Sequence, residues 1–226
     1  TDILVFMTGE RTALGLIFIY TVFLVLFIKK FKILRLATFI ISIIIIFIIT
    51  ISNPVIKSRN IDKTMDQIGI STENQNIKNL NYLSEEHQDL FVTAFNIFVD
   101  NPLFGIGPNN FRNECSLYDR DYGCSTHPHN IYIQLLAETG SIGFIFILIL
   151  CGYFILLFLR FINFRYKQNI DNLSDYQLCM IACFLLTLWP ILPTLNFFNN
   201  WINIIYFLPV GFYLHSRLNM NEINNY

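Results

Sequence analysis

The chain has 226 residues, of which 54% are hydrophobic and 14% charged, whereas a soluble domain carries about a quarter charged residues. That imbalance excludes a disordered chain and an ordinary soluble globule. A net charge of −1 supplies no basic field for a nucleic-acid backbone, and five cysteines are too few to build a disulfide scaffold. Thr1 opens the chain with no charged leader and cleavage site behind it, so the sequence reads as the C-terminal portion of a longer membrane polypeptide.

A lipid-spanning helix needs roughly 20 mostly apolar residues, and five runs qualify. The first covers residues 13–28 and is stopped by Lys29, Lys30 and Lys32; the second covers 33–51 and the third 131–161. Two more, 176–195 and 201–215, are interrupted by Pro190, Pro193 and Pro209. Membrane helices tolerate such prolines where neighbours or water satisfy the freed carbonyls. Lys29, Lys30, Lys32 and Arg35 share one hairpin, Arg160, Arg165 and Lys167 follow the third run, and Arg217 follows the fifth. With alternating spans all three groups fall on one side, which is assigned to the cytoplasm. The expectation is an all-α integral membrane protein with about five transmembrane helices. Residues 1–51 form two helices joined by a cytoplasmic hairpin, 52–130 a long outer loop, and 131–226 three further helices.

The outer loop has internal structure. Residues 58–81 are polar, Asn-rich and without apolar period, and read as irregular. Ser84 then caps a helix over 85–99, with Glu85 and Glu86 in its first turn. Leu90, Phe91, Ala94, Phe95 and Phe98 recur at helical spacing, giving an amphipathic helix on the membrane surface or capping the bundle. Asn101-Pro102 stops it, and Gly105-Ile106-Gly107-Pro108 makes a tight turn.

Several residues on that side can carry chemistry. His127-Pro128-His129-Asn130 stands just before the third span, and histidine is the side chain best matched to proton transfer near neutral pH. Asn130, Gln134 and Glu138 fall at successive i+4 positions on one helix face, and ionisable groups inside a membrane mark functional or wet sites. The plainer reading is interfacial histidine and a carboxylate bonded to a neighbouring helix. Arg11, in Thr8-Gly9-Glu10-Arg11-Thr12 at the mouth of the first span, either snorkels to headgroups or grips a substrate phosphate with its planar guanidinium. Cys115-x8-Cys124-x2-His127-x-His129 offers zinc-type ligands but matches no strong zinc spacing, and an oxidising compartment favours a Cys115–Cys124 disulfide. Cys151, Cys179 and Cys183 read as packing residues, and Gly140-Ser141-Ile142-Gly143 as a site of close helix approach. No nucleotide-phosphate loop or Asp-x-Asp motif appears.

The stretch from Asn101-Pro102-Leu103-Phe104-Gly105-Ile106-Gly107-Pro108-Asn109-Asn110-Phe111 to His127-Pro128-His129-Asn130 and Ala137-Glu138-Thr139-Gly140-Ser141-Ile142-Gly143 resembles the O-antigen ligase/polymerase superfamily. So does the order of parts: an outer Arg-Thr-Ala, two spans, a long loop, and His-x-His-Asn entering a helix. The resemblance covers most of residues 8–160. It implies the C-terminal half of a GT-C-like glycosyltransferase in the bacterial inner membrane, with its active face and the 52–130 loop in the periplasm.

The resemblance further implies a glycan donor linked to undecaprenyl pyrophosphate and an acceptor hydroxyl on lipid A core, a lipid-linked glycan, or a protein Ser or Thr. It implies no metal, nucleotide or other cofactor. The family's catalytic histidine falls near the end of the long loop, matching His127 or His129, and His129 is the one placed beside the acceptor hydroxyl, with His127 assisting. Arg11 matches the family's arginine at an outer helix mouth, and Asn130 and Glu138 would orient the histidines. Relatives often carry Arg at the start of the amphipathic helix, where this chain has His87. Two other classes stay open: a transporter of lipid-linked glycans, and a non-catalytic assembly subunit.

Overall fold

In the computed structural model the described residues are 1–68, 85–118, 120–168, 173–190 and 193–223. Among them there are helices and turns but no strand. Two compact units divide the chain, Thr1–Asp89 and Leu90–Tyr226, and each is described by itself.

The first unit opens with α1 (Asp2–Thr8), which ends at Gly9 in the left-handed conformation that only glycine adopts without strain. Helix α2 (Arg11–Phe27) follows, and its carboxyl end is closed by the Arg35 guanidinium donating to the Ile28 carbonyl at 2.6 Å. Helix α3 (Lys32–Ser52) carries no buried residue and is 21 residues long, about the thickness of a hydrocarbon core at roughly 1.5 Å per residue. Asn53 then caps α4 (Pro54–Lys57), its side chain accepting from the Val55 and Ile56 amides while Pro54 takes the first helical position. A π-type turn (Ser58–Asp62) leads into α5 (Lys63–Ile68). The polar stretch from residue 58, read as irregular, is thus helical as far as 68. Arg59, Asn60 and Thr64 bond to the α1–α2 junction while Ser58 and Lys63 stay exposed, so no apolar period marks the helix. The remainder of that stretch and the Ser84 cap lie outside the described residues.

Helix α6 (Glu85–Asp100) runs from the first unit into the second. Its Leu90, Ala94 and Ile97 stripe packs with Phe111, Cys115 and Ala137, with Ile106 and Ile133 at the margin. Phe95 and Val99 point outward. Of the expected stripe, Leu90 and Ala94 are in the packed face, Phe95 is exposed, and Ile97 joins the core instead. Short α7 (Phe111–Glu114) and a 3-10 turn (Cys115–Leu117) precede α8 (Ile131–Asn163), which continues as a π-type turn (Phe164–Gln168).

Helix α8 is broken at Gly140 (φ 65°, ψ −167°). At the break the helix is completed by the loop after α6. The Ser141 and Ile142 amides donate to the Pro102 and Leu103 carbonyls, while the Ile106 and Gly107 amides donate to the Ala137 and Glu138 carbonyls. The Ser141 and Ile142 amides and the Ala137 and Glu138 carbonyls, which an unbroken helix would pair with one another, thus each find a backbone partner. The Gly140–Gly143 stretch, expected to admit a neighbouring helix, admits this loop instead.

Helices α9 (Asp175–Thr187) and α10 (Asn200–Ile223) complete the unit. Phe154 of α8 joins them, its ring 4.8 Å from Phe184 and 5.2 Å from Tyr213. Among the described residues two helices, α3 and α8 with its extension, are long and apolar enough to cross a membrane. Of the other three expected spans, the first is helical as α2 with 17 residues, the fourth only in part as α9 with 13, and the fifth lies within α10. Helix α9 stops ahead of Pro190, as residues preceding proline leave the α region.

Candidate functional site

The histidine segment is bent before it becomes helix. Asn130 is the cap of α8, accepting the Tyr132 and Ile133 amides on its side-chain oxygen. His129, one residue earlier, sits at φ 54°, a left-handed conformation that disfavours residues with a Cβ by roughly 1–2 kcal/mol. Such strain persists only where surrounding structure holds it. Here the Thr194 amide donates to the His129 carbonyl at 2.8 Å.

The two imidazoles are stacked obliquely, with centroids 4.2 Å apart and planes inclined by 50°. His127 is buried, its Nδ1 3.0 Å from the Thr126 hydroxyl. His129 is half-buried, with Nε2 3.4 Å from the Ser125 hydroxyl. Burial first, and the adjacent His129 second, push the His127 pKa down to about 4, although the Thr194 backbone pulls the other way. His127 is thus neutral at neutral pH, a hydrogen-bonding neighbour rather than a second cation.

Asn130 and Glu138 are both buried, and both are engaged with backbone. The Asn130 amide group donates to the Pro190 carbonyl at 2.8 Å. Glu138 accepts from the Phe111 amide at 2.9 Å and from Gln134 at 3.1 Å. Gln134 also donates to Asn196 at 2.7 Å and accepts from the Phe197 amide. Asn196 in turn donates to the Asn109 side chain at 3.2 Å. Glu138 thereby shapes the turn at 105–111, and its connection toward the histidines runs through Gln134 and the segment after α9. Cys115 and Cys124 are joined as a disulfide, with Cα atoms 5.1 Å apart. The bridge ties the start of the histidine segment to the α6 core and uses up the thiols that the zinc alternative required. Among the described residues no cluster of three or more His, Cys, Asp or Glu is placed to hold a metal.

In the first unit Arg11 opens α2 and donates to the Thr64 hydroxyl at 2.9 Å. Thr64 donates on to the Asn60 carbonyl, and the Asn60 amide group holds the Phe6 carbonyl at 3.0 Å. Arg59 reaches the same turn, donating to the Met7 carbonyl and lying where a Cβ on Gly9 would stand. Two guanidiniums therefore converge on the α1–α2 junction, beside the partial positive charge of the α2 amino terminus.

Sequence reasoning missed Arg59 and Thr194. Arg59 lies in a polar run without periodicity. Thr194 stands in the Pro-rich break after α9, where Pro190 and Pro193 marked an interruption without showing what it served.

The fold and these sites define a helical membrane protein with a held histidine pair before a broken transmembrane helix and an arginine-bearing helix mouth. The family model described as O-antigen ligase matches residues 3–148, well over half of the chain, and the protein belongs to that family. The family is membrane-integral, of the O-antigen ligase/polymerase type of glycosyltransferase, and works on lipid-linked glycans. No curated protein and no solved structure matches the chain significantly.

Proposed function

We propose that the chain transfers a glycan from undecaprenyl pyrophosphate to an acceptor hydroxyl on the periplasmic face of the inner membrane, inverting the anomeric centre. The observation that carries this reading is the histidine pair, stacked at 4.2 Å with His129 held in a strained backbone conformation. The acceptor oxygen attacks C1 of the donor sugar as the C1–O bond to phosphate breaks. The hydroxyl proton passes to His129, and the bonding pair leaves with the pyrophosphate. Neutral His127 orients His129 rather than competing for the proton. Positioned acid–base help of this kind is worth about 10² to 10⁴ in rate.

Arg11 binds the departing pyrophosphate, because a guanidinium can meet two phosphate oxygens at once. Arg59 adds a second cation at the same turn. Asn130 acts by fixing where α8 begins, and Glu138 by fixing the 105–111 turn. Neither the proton transfer nor the leaving-group charge requires a metal or a cofactor in this scheme.

The test is deletion of the full-length gene in its host, complemented with wild type or His129→Ala, with the surface glycolipid run on a gel. Lost long-chain glycan with accumulating lipid-linked polymer identifies a ligase, and single-repeat caps identify a polymerase. An unchanged ladder in the deletion strain rejects both and points to a protein acceptor or to transport. Full activity of His129→Ala at normal protein level would remove that residue from the mechanism.

A further inference from the structure

The break between α9 and α10 touches the histidine segment repeatedly. The Tyr132 hydroxyl donates to the Leu188 carbonyl at 2.6 Å, Asn130 to the Pro190 carbonyl, and Gln134 to Asn196. Within this series Thr194 is the residue that brackets the strained position. Its amide donates to the His129 carbonyl, and its Oγ1 accepts the Ile131 amide at 2.8 Å. The Asn130 side chain caps the second and third amides of α8, so the first amide of the helix depends on this distant hydroxyl.

We propose that Thr194 is the positioning residue of the histidine pair. Two bonds, one on each side of Asn130, fix the 129–130 and 130–131 peptide planes, and the first of these, which carries the His129 carbonyl, holds His129 in the left-handed conformation. That conformation sets the direction of its imidazole. Released from the clamp, the backbone of His129 relaxes to negative φ, as a residue with a Cβ prefers, and the ring swings away from the acceptor hydroxyl. The segment after α9 is then part of the catalytic apparatus, acting through His129 without touching substrate.

This inference rests on the proposed glycosyl transfer for its kinetic readout, but not for its structural one. Full-length enzyme in nanodiscs, given lipid-linked glycan extracted from its host, is assayed as wild type, Thr194→Val, Thr194→Ala and Thr194→Ser. Val and Ala delete the hydroxyl acceptor, and kcat is expected to fall about 10- to 100-fold with donor KM within about threefold. Ser restores the acceptor and is expected to stay within about threefold of wild type. Peptide-mapped labelling of His129 by diethyl pyrocarbonate reads the clamp without reference to transfer, and is expected to quicken in Val and Ala but not in Ser. Wild-type kcat in both Val and Ala overturns the proposal. An equal fall in Ser and Val, or equal His129 labelling in all four proteins, overturns it as well. If wild type transfers nothing, the function reading fails, while the labelling still decides the clamp.

Discussion

Gly105 lies against the backbone of residues 137–139, and Gly140 lies against the backbone of Leu103, so that each glycine makes room for the strand of chain that carries the other. A Cβ on Gly105 would run into the Glu138 carbonyl carbon, and one on Gly140 into the Leu103 carbonyl. Both residues also sit at positive φ, 64° and 65°. Four backbone hydrogen bonds replace the two that the broken helix gives up, and the loop and helix become one unit.

Ala at Gly105 or Gly140 therefore meets both a steric and a conformational penalty. Either substitution is expected to destabilise by roughly 3 kcal/mol or more, read as a large drop in melting temperature or loss of folded protein. Gly107→Ala has open space around it despite φ 97° and is expected to cost only about 1 kcal/mol. Equal melting temperatures for Gly105→Ala and Gly107→Ala would count against the close-approach argument.

Acid should weaken the histidine segment through His127. Its pKa is about 4 in the folded protein against 6.5 for the free side chain, so between those values the unfolded chain binds more protons. Stability from this group is full above pH 6.5 and is lost as pH falls toward 4, on the order of 3 kcal/mol in all. His127→Gln should flatten the melting temperature across pH 4 to 7. An unchanged slope in that variant would show that other groups set the acid limit.

Arg11→Lys keeps the charge but loses the planar fork and its reach to Thr64. Transfer is expected to fall at least tenfold, with the larger part in donor KM. Thr64→Val, which removes the hydroxyl that holds Arg11, should fall less. Kinetics of both variants against lipid-linked donor separate charge from geometry, and wild-type values for Arg11→Lys would refute two-point phosphate contact.

Reduction of Cys115–Cys124 reopens a loop spanning nine positions. Closing a loop of that size stabilises by about 2–3 kcal/mol in the chain-entropy account. The Cys115→Ser/Cys124→Ser double variant should melt lower than wild type, and reductant should lower wild type but not the variant. Identical shifts with reductant in both would show that the bridge contributes nothing to stability.

Much of this protein follows from pattern alone. The long apolar runs that became α3 and α8 dictate helices, because an apolar backbone out of water must bond to itself. The amphipathic period over α6 and the Asn cap ahead of Ile131 are likewise local, and the residues that carry them are near neighbours in the chain. His127 and His129 were legible for the same reason: two histidines beside a cap and a membrane-length run announce themselves.

What tertiary structure decided lies in contacts between distant segments. Arg11 meets Thr64 across 53 positions, and Ile131 meets Thr194 across 63. No periodicity within a window of a helix or two can report either. In the polar run from residue 58, Arg59, Asn60 and Thr64 are satisfied at the α1–α2 junction, which no apolar period reports. Glu138 looked like a companion of the histidines because the i+4 face ends there, yet its oxygens turn to Phe111 and Gln134. The sequence by itself shows which runs must avoid water and where the histidines stand beside a helix cap. Which polar group satisfies which, and hence how His129 is held, depends on the chain returning to itself, since a buried hydrogen bond needs a partner at about 3 Å whatever its distance along the chain.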